Sequence, residues 1–319
     1  MENPVVLGLD FGGSKIAAAV AGPDGARIAG DELAVRRADD AATTFARGIG
    51  LAQALAATIT PGRAVAAVAA ATFGIPYPDR VALAPNVPGW EQLAFGDELA
   101  AAFPSAAIVT ATDVKAAAQC ELAGGALAGC DPGLYVNLGT GLAVALTVGG
   151  QVVTGRHGAA GEIGYSLRRP GDGERAQRLE DAVSGQALSA AALRLLGRPD
   201  VPALLATPDG PAAAAREAFL DELCFHLVNL ALALDPERIV VGGGLVRSWP
   251  HIGPAIRTAL DAALPYPPEL TLAAHPFDAP LLGALALAAA AADPTPATEP
   301  ITEPAHQPAL DVISEGAPT

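Results

Sequence analysis

The chain has 319 residues, 51% of them hydrophobic and 17% charged, which is enough for a sizeable core and excludes wholesale disorder. With 19 basic against 34 acidic residues the formal net charge is −15, which argues against a nucleic-acid backbone as main partner, since that partner needs clustered Lys and Arg. A small phosphate ligand stays open, because backbone N–H groups and one cation suffice to hold it.

In chain order, Val5–Leu9 is a short apolar run ending in Asp10-Phe11-Gly12-Gly13-Ser14-Lys15, and a second apolar run, Ile16–Val20, follows at once. Two strands joined by a tight Gly-Gly turn fit this pattern. A third strand is expected near Arg27–Val35, then a helix over Ala41–Ile59 with Asp39 or Asp40 as N-cap. Val65–Ala71 reads as a buried strand leading into Gly74-Ile75-Pro76, Gly89–Phe103 holds a short helix, and Ala106–Thr110 is another strand. Asp113 opens a helix that Gly124-Gly125 stops.

The pattern then repeats. Leu134–Leu138 is a strand ending in Gly139-Thr140-Gly141, followed by the strands Leu142–Val148 and Gln151–Thr154. Helices over Ser184–Leu196 and Ala212–Leu234, a strand Arg238–Val241 ending in Gly242-Gly243-Gly244, a helix near Ile252–Ala263, a strand Glu269–Ala274 and a helix Leu281–Ala292 complete the folded part. Two similar halves that alternate helices with strands predict mixed α/β layers. Residues 293–319, rich in Pro, Thr, Glu and Ala and without Lys or Arg, read as a disordered acidic tail. The scattered Cys120, Cys130 and Cys224 suit neither a disulfide framework nor a zinc ribbon, and no leader or bilayer-length apolar run is evident, so the expected location is cytoplasmic.

The chemistry concentrates at the glycine turns. In the first, Gly12 and Gly13 let backbone approach an anion, Ser14 and Lys15 add a hydroxyl and a cation, and Asp10 is suited to hold Mg²⁺ through water. No helix follows, so this is not a Walker loop. A plain hairpin turn explains the same residues. Gly139-Thr140-Gly141 repeats the device, and alone it is more simply a tight turn. Gly242-Gly243-Gly244 fits either a flat ligand against bare backbone or a packed strand–helix junction. Taken together, two turns facing each other across two halves and a third glycine platform make a nucleotide cradle.

This arrangement resembles the sugar kinase, Hsp70 and actin superfamily, and within it the ROK family (repressors, open reading frames and kinases). The resemblance runs from Val5 to about Ala292. It is carried by DFGGSK at Asp10–Lys15, GIP at Gly74–Pro76, NVPGW at Asn86–Trp90, TDVKAAA at Thr112–Ala118, NLGTG at Asn137–Gly141 and GAAGEIGY at Gly158–Tyr165. LEDAVSGQAL at Leu179–Leu188, LDPERIVVGGGL at Leu234–Leu245 and APLLGAL at Ala279–Leu285 continue the series. It implies a two-domain actin-like ATPase (ribonuclease H-like) fold with an interdomain cleft, divided into residues 1–112 and 113–292, the helix at 281–292 packing back on the N-terminal domain. It implies ATP and Mg²⁺ as cofactors, a homodimer, and a small sugar or cyclitol as acceptor, with neither nucleic acid nor membrane as partner.

By the same resemblance Asp113 is the general base that takes the proton of the attacking hydroxyl, although its position equally suits a helix N-cap. Asp10 organises Mg²⁺, Gly12–Lys15 and Gly139–Gly141 the phosphates, and Gly242–Gly244 the adenosine. Glu162 and Glu180 match sugar-binding glutamates, for which the competing reading is an ordinary solvated loop acid. Asn86 and Gly74–Pro76 line the same cleft.

Three departures mark the acceptor side. Thr112 stands where many members have Asn, and Tyr165 stands where the usual residue is a His that binds sugar and a structural zinc. The segment between Tyr165 and Glu180 holds no Cys or His, so no zinc is expected there. It carries Arg168, Arg169, Arg175 and Arg178 instead, read as a solvated loop or as partners of acidic neighbours or an anionic ligand. The altered positions point to zinc-free members such as kinases of kanosamine or C7-cyclitols in antibiotic pathways, phosphorylating a primary hydroxyl. The alternatives are an ordinary glucokinase using ATP or polyphosphate, and a catalytically inactive sugar-binding sensor. A repressor of the family would carry an N-terminal helix-turn-helix, whereas the first phosphate turn here begins at Asp10.

Overall fold

Val5–Phe11 (β1) is apolar except for Asp10 and is buried along its whole length, as befits a central strand covered on both faces. In the computed structural model, which describes residues 3–36, 38–84, 87–168 and 177–293, it is the middle of a five-stranded sheet. Lys15–Ala21 (β2) and Arg27–Ala34 (β3) extend this sheet antiparallel on one side. After the helix Ala41–Ile59 (α1), Val65–Thr72 (β4) adds parallel to β1 on the other side. The pair Ile75–Pro76 (β5) and Val81–Ala82 (β6) forms a small flap, the helix Phe95–Ala102 (α2) follows, and Ala107–Thr112 (β7) closes the sheet parallel to β4. The order is β3-β2-β1-β4-β7. Asp40 caps α1, its carboxylate accepting from Thr43 N at 2.7 Å, which decides between the two expected caps.

The helix Asp113–Gly124 (α3) leads into a second sheet with the same plan. Gly133–Leu138 (β8), Leu142–Val148 (β9) and Gln151–Val152 (β10) form its antiparallel meander. Three helices follow, Gly185–Leu196 (α4), Val201–Ala206 (α5) and Gly210–Leu234 (α6). Arg238–Gly242 (β11) then pairs parallel with β8, and after Trp249–Ala263 (α7) the strand Glu269–Leu272 (β12) pairs parallel with β11. The order β10-β9-β8-β11-β12 repeats that of the first sheet. The last helix, Ala279–Ala292 (α8), carries Leu281, Ala284, Leu285 and Ala288 onto the first sheet, against Val6, Ala17, Ala19, Ala67 and Ala69. The flap and α5 are two elements that the apolar patterning does not announce, because each is too short to show a period.

Small residues set the joint between the halves. Gly283 of α8 lies directly against the backbone carbonyl of Ala116 in α3, where no Cβ fits. On its other side α3 packs Val114, Ala117 and Ala118 against Tyr135, Ala145 and Val240 of the second sheet. The buried Glu121 of α3 accepts from Ala126 N at 2.6 Å, Ala274 N at 3.0 Å and His275 N at 2.9 Å, tying the helix to the turn before α8. Under the first turn an aromatic cluster fixes Phe11, whose ring stacks on Phe45 at 5.3 Å and meets Phe95 edge-on at 5.5 Å. Trp90 completes the cluster and donates from Nε1 to Thr72 Oγ1 at 3.0 Å. Among the described residues no helix is long and apolar enough to cross a membrane.

Candidate active site

Parallel pairing of β1, β4 and β7 brings their carboxyl ends to one edge, with Asp10 opposite Ala71 and Ala71 opposite Ala111. That edge is where ligands of open α/β sheets bind. Asp10 is 8% exposed there, and its carboxyl is pushed up to about 7 by burial and by the neighbouring Asp113, with Lys15 opposing and Asp278 adding. The turn after it is tight, Gly12 N donating to Lys15 O at 2.9 Å, and Gly13 faces open space. Lys15 Nζ lies 3.0 Å from Glu32 and 3.6 Å from Asp278, so this cation is held beside the turn by two acids.

Thr112, not Asp113, is the N-cap of α3: its hydroxyl accepts from Lys115 N at 3.3 Å. Asp113 is therefore released from the capping role that its sequence position suits, and its carboxylate accepts only from Val114 N, at 2.7 Å, among the bonds described. Burial raises its carboxyl to about 6, the Val114 amide and Lys115 acting against that shift and Glu180 with it. The charges of Asp113, Asp10, Glu180 and Glu162 thus bear on one another.

The GAAGE segment shows why Glu162 is fixed. Gly158 and Gly161 have φ of 73° and 89°, and a Cβ on Gly161 would strike Val144 O. Val144 N donates to Gly161 O at 2.9 Å, so the loop is stitched to β9 just before Glu162. The Glu162 carboxyl is pushed up to about 7 by burial, against the pull of Lys115 and with Asp113 and Glu180 adding. Glu180 accepts from Leu142 N at 2.9 Å, and its carboxylate lies against Gly141 and Gly164, where side chains would collide. It therefore braces the second glycine turn. Tyr165 lies under the Arg178 guanidinium, 4.4 Å from the ring centroid. Arg168 pairs with Glu222 of α6, its Nε donating at 2.6 Å, so the salt-bridged reading holds for this arginine. Asn86, Arg169 and Arg175 lie outside the described residues, as does the tail beyond Asp293.

The second turn is docked on α4. Gly139 O accepts from Gly185 N at 2.9 Å and Thr140 O from Gln186 N at 3.0 Å, with Ser184 capping the helix. At the third platform, Gly242 packs against the Tyr135 hydroxyl, and Gly243, at φ 90°, fits against Asn137 and Leu138. Close packing accounts for these two glycines without a ligand, while a side chain at Gly244 would meet only the end of Arg247.

Sequence reasoning passed over Lys115. It is 6% exposed, donates from Nζ to Gly158 O at 2.8 Å, and stands 3.9 Å from Glu162 Oε1. In the sequence it is marked only as a lone lysine among the small apolar residues Val114 and Ala116–Ala118. With Thr112 it also lines a mostly apolar cavity of about 490 Å³ bounded by Ile75, Val109, Val152 and Leu287.

Two sheets of one topology, with glycine turns at corresponding places and carboxylates gathered at the strand ends, define a protein of the two-domain, actin-like α/β class. The ROK family model matches residues 6–291, and the chain belongs to the ROK family. It is similar to a kanosamine kinase of Amycolatopsis mediterranei, 29% identical over 266 residues that cover 80% of this chain and 86% of that protein. Among solved structures it is similar to a ROK glucokinase of Streptomyces griseus in complex with glucose and AMPPNP, at 26% identity and a TM-score of 0.71, covering 89% of this chain and 99% of that one. A ROK hexokinase of Thermus thermophilus gives the same identity and TM-score, covering 89% of this chain and 97% of that one.

Proposed function

We propose that the protein transfers the γ-phosphoryl group of Mg-ATP to a primary hydroxyl of a small sugar-like acceptor, a hexose, amino sugar or C7-cyclitol, with Asp113 as general base. The observation that carries this reading is the placement of Asp113 at the first position of α3, behind Thr112 as N-cap, where the charges of Asp10, Glu162 and Glu180 bear on it. In the step, the acceptor oxygen bonds to the γ-phosphorus while the bond to the β–γ bridging oxygen breaks. ADP leaves, and Asp113 takes the hydroxyl proton. With its carboxyl at about 6, Asp113 is mainly the base at neutral pH. Glu162 and Glu180, with Thr112, Tyr165 and Asn86, accept and donate hydrogen bonds to the ring substituents. Gly12–Lys15 and Gly139–Gly141 hold the phosphates, and Gly242–Gly244 lie under the adenosine.

The residues present fit Mg²⁺. Asp10 offers a hard oxygen donor whose repulsion from the nearby Asp113 a divalent cation relieves, and Mg²⁺ commonly uses one or two carboxylates, waters and substrate phosphates. Asp10 would hold it through water, where it neutralises charge on the phosphates. The division into residues 1–112 and 113–292, cytoplasmic location and homodimerisation belong to the same proposal.

The test is ADP release from Mg-ATP across a panel of glucose, mannose, N-acetylmannosamine, fructose, glucosamine, kanosamine and valiolone-type cyclitols. Asp113→Asn should bind nucleotide normally and lose about 10²–10⁴ in turnover, the usual share of a general base. A rate within a few-fold of wild type removes Asp113 from that role. Turnover confined to an amino sugar or cyclitol favours the biosynthetic reading, which the likeness to the kanosamine kinase supports. Strong turnover on glucose favours the glucokinase reading, which the likeness to the Streptomyces griseus enzyme supports.

A further inference from the structure

A buried ammonium is retained only where something offsets its lost hydration. At the position of Lys115 helix formation does not require one, because alanine is the better helix former and the neighbours Ala116, Ala117 and Ala118 are alanines. Yet the side chain is 6% exposed, and its only hydrogen bond described goes to a backbone carbonyl, Gly158 O, at 2.8 Å. Its ionic neighbour is Glu162 Oε1 at 3.9 Å, beyond a direct hydrogen bond but within ion-pair reach. Gly158 and Glu162 belong to the same positive-φ loop, so one ammonium spans both ends of that loop from α3.

We propose that Lys115 is a positioning residue: anchored on the Gly158 carbonyl, its ammonium holds the Glu162 carboxylate in place and ionised as a hydrogen-bond acceptor for the sugar-like substrate.

The inference rests on the reading of Glu162 as an acceptor-binding residue. The charged and titratable groups around the pair all bear on it. Asp113 stands on α3 itself, Glu180 reaches Glu162 and Asp113 from the brace on the second turn, and Asp10 couples to Asp113 from β1. Tyr165, with Arg178 over its ring, is coupled to both glutamates. Apart from Lys115, the influences on Glu162 all disfavour its ionised form: burial, Asp113 and Glu180. Lys115 is itself shifted down by burial, with Glu162 and Asp113 pulling it back up, so the cation and the two acids sustain one another's charge. A protonated Glu162 would offer one donor and a weaker acceptor where a carboxylate offers two acceptor oxygens. Losing the lysine charge should therefore reach the acceptor through Glu162 and leave the phosphate side alone.

The test is a carboxyl ¹³C NMR titration of the full chain carrying ¹³C-labelled Glu, for wild type, Lys115→Met, Lys115→Gln and Lys115→Arg, with Glu162→Gln assigning the resonance. In the Met and Gln variants the Glu162 midpoint should move up by about one unit or more, a tenfold change in proton affinity, while Arg keeps it near the wild-type value. Steady-state kinetics on the accepted sugar should show the acid limb of kcat/KM moving up by the same amount. KM for the acceptor should rise about tenfold and KM for ATP should stay unchanged. An unmoved Glu162 midpoint in whichever of the Met and Gln variants is folded overturns the proposal, whatever the kinetics. A shifted midpoint in a protein that turns over no acceptor upholds the hold of Lys115 on Glu162 and overturns the kinase reading instead.

Discussion

Asp113 and Thr112 divide two tasks that one residue often performs. Thr112 caps α3 with its hydroxyl, and this leaves the Asp113 carboxylate with a single described amide donor and a raised affinity for protons. A consequence for stability follows from that shift. The unfolded chain loses the Asp113 proton near 3.8 and the folded one near 6, so this group's contribution is fully present below 3.8 and is lost as pH rises through about 6. Asp113→Asn, which removes the ionised form, should raise the melting temperature of the ligand-free protein at about pH 8 and leave it unchanged near pH 3.5, measured by scanning fluorimetry. Equal melting temperatures at the higher pH would mean that the carboxylate is better solvated than its burial implies. An activity site that is locally unfavourable for stability is a common trade. On activity, kcat/KM of the wild type should fall as pH drops below about 7, where Glu162 becomes protonated, and more steeply below about 6, where Asp113 does too.

At the scale of elements, α3 is the part on which the site depends. It carries Thr112 as cap, Asp113 and Lys115 at its start and Glu121 near its end, and it is pressed between the second sheet and α8. Gly283→Ala would drive a methyl group into the Ala116 carbonyl, and such overpacking costs about 1–3 kcal/mol. We expect a melting temperature several degrees lower and a fall in kcat, because α3 must shift to make room. Unchanged melting would mean that α8 slides along α3 instead. Glu121→Ala would strand the amides of Ala126, Ala274 and His275, at about 1–3 kcal/mol for each buried group left unpaired, so it should unfold at markedly lower denaturant than Glu121→Gln, which keeps one acceptor.

These elements also show how far the sequence reaches. The run Val5–Leu9, the turn at Asp10–Lys15 and the helix at Ala41–Ile59 are legible because burial on both faces, glycine punctuation and helical spacing each leave a local imprint. The flap Ile75–Pro76 with Val81–Ala82 leaves none, since two residues cannot display a period. Lys115 was overlooked for another reason. An isolated lysine is by default a solvated one, and only the packing of α3 shows that it is buried beside Glu162.

At the scale of the molecule, the two sheets repeat one strand order, and the contacts between the flap and the 155–162 loop span the cleft side of the first and second halves. Tyr77 donates its hydroxyl to His157 O at 2.6 Å, and Gly158 lies against Ile75. Closure of such a cleft on substrate excludes water and commits the acceptor. Tyr77→Phe, which removes only this bond, should raise the acceptor KM by several-fold and increase ATP hydrolysis in the absence of acceptor, read by ADP release. No change in either would place the bond outside the closing motion.

The sequence by itself determined the order of strands and helices apart from the flap and α5, the repeat of strand, glycine turn and strand in each half, and the membership that the family model supports over residues 6–291. These are local or pairwise-periodic properties, written in apolar spacing and in glycines whose backbone conformation few other residues adopt. Only the tertiary structure decided that Thr112 caps α3 in place of Asp113, and that Gly242 and Gly243 are small because Tyr135, Asn137 and Leu138 press on them. It also decided that Lys115 meets Glu162 from an element distant in sequence. Such pairings depend on which surfaces meet when the chain collapses, and a contact between residues 47 positions apart leaves no mark in the spacing of either.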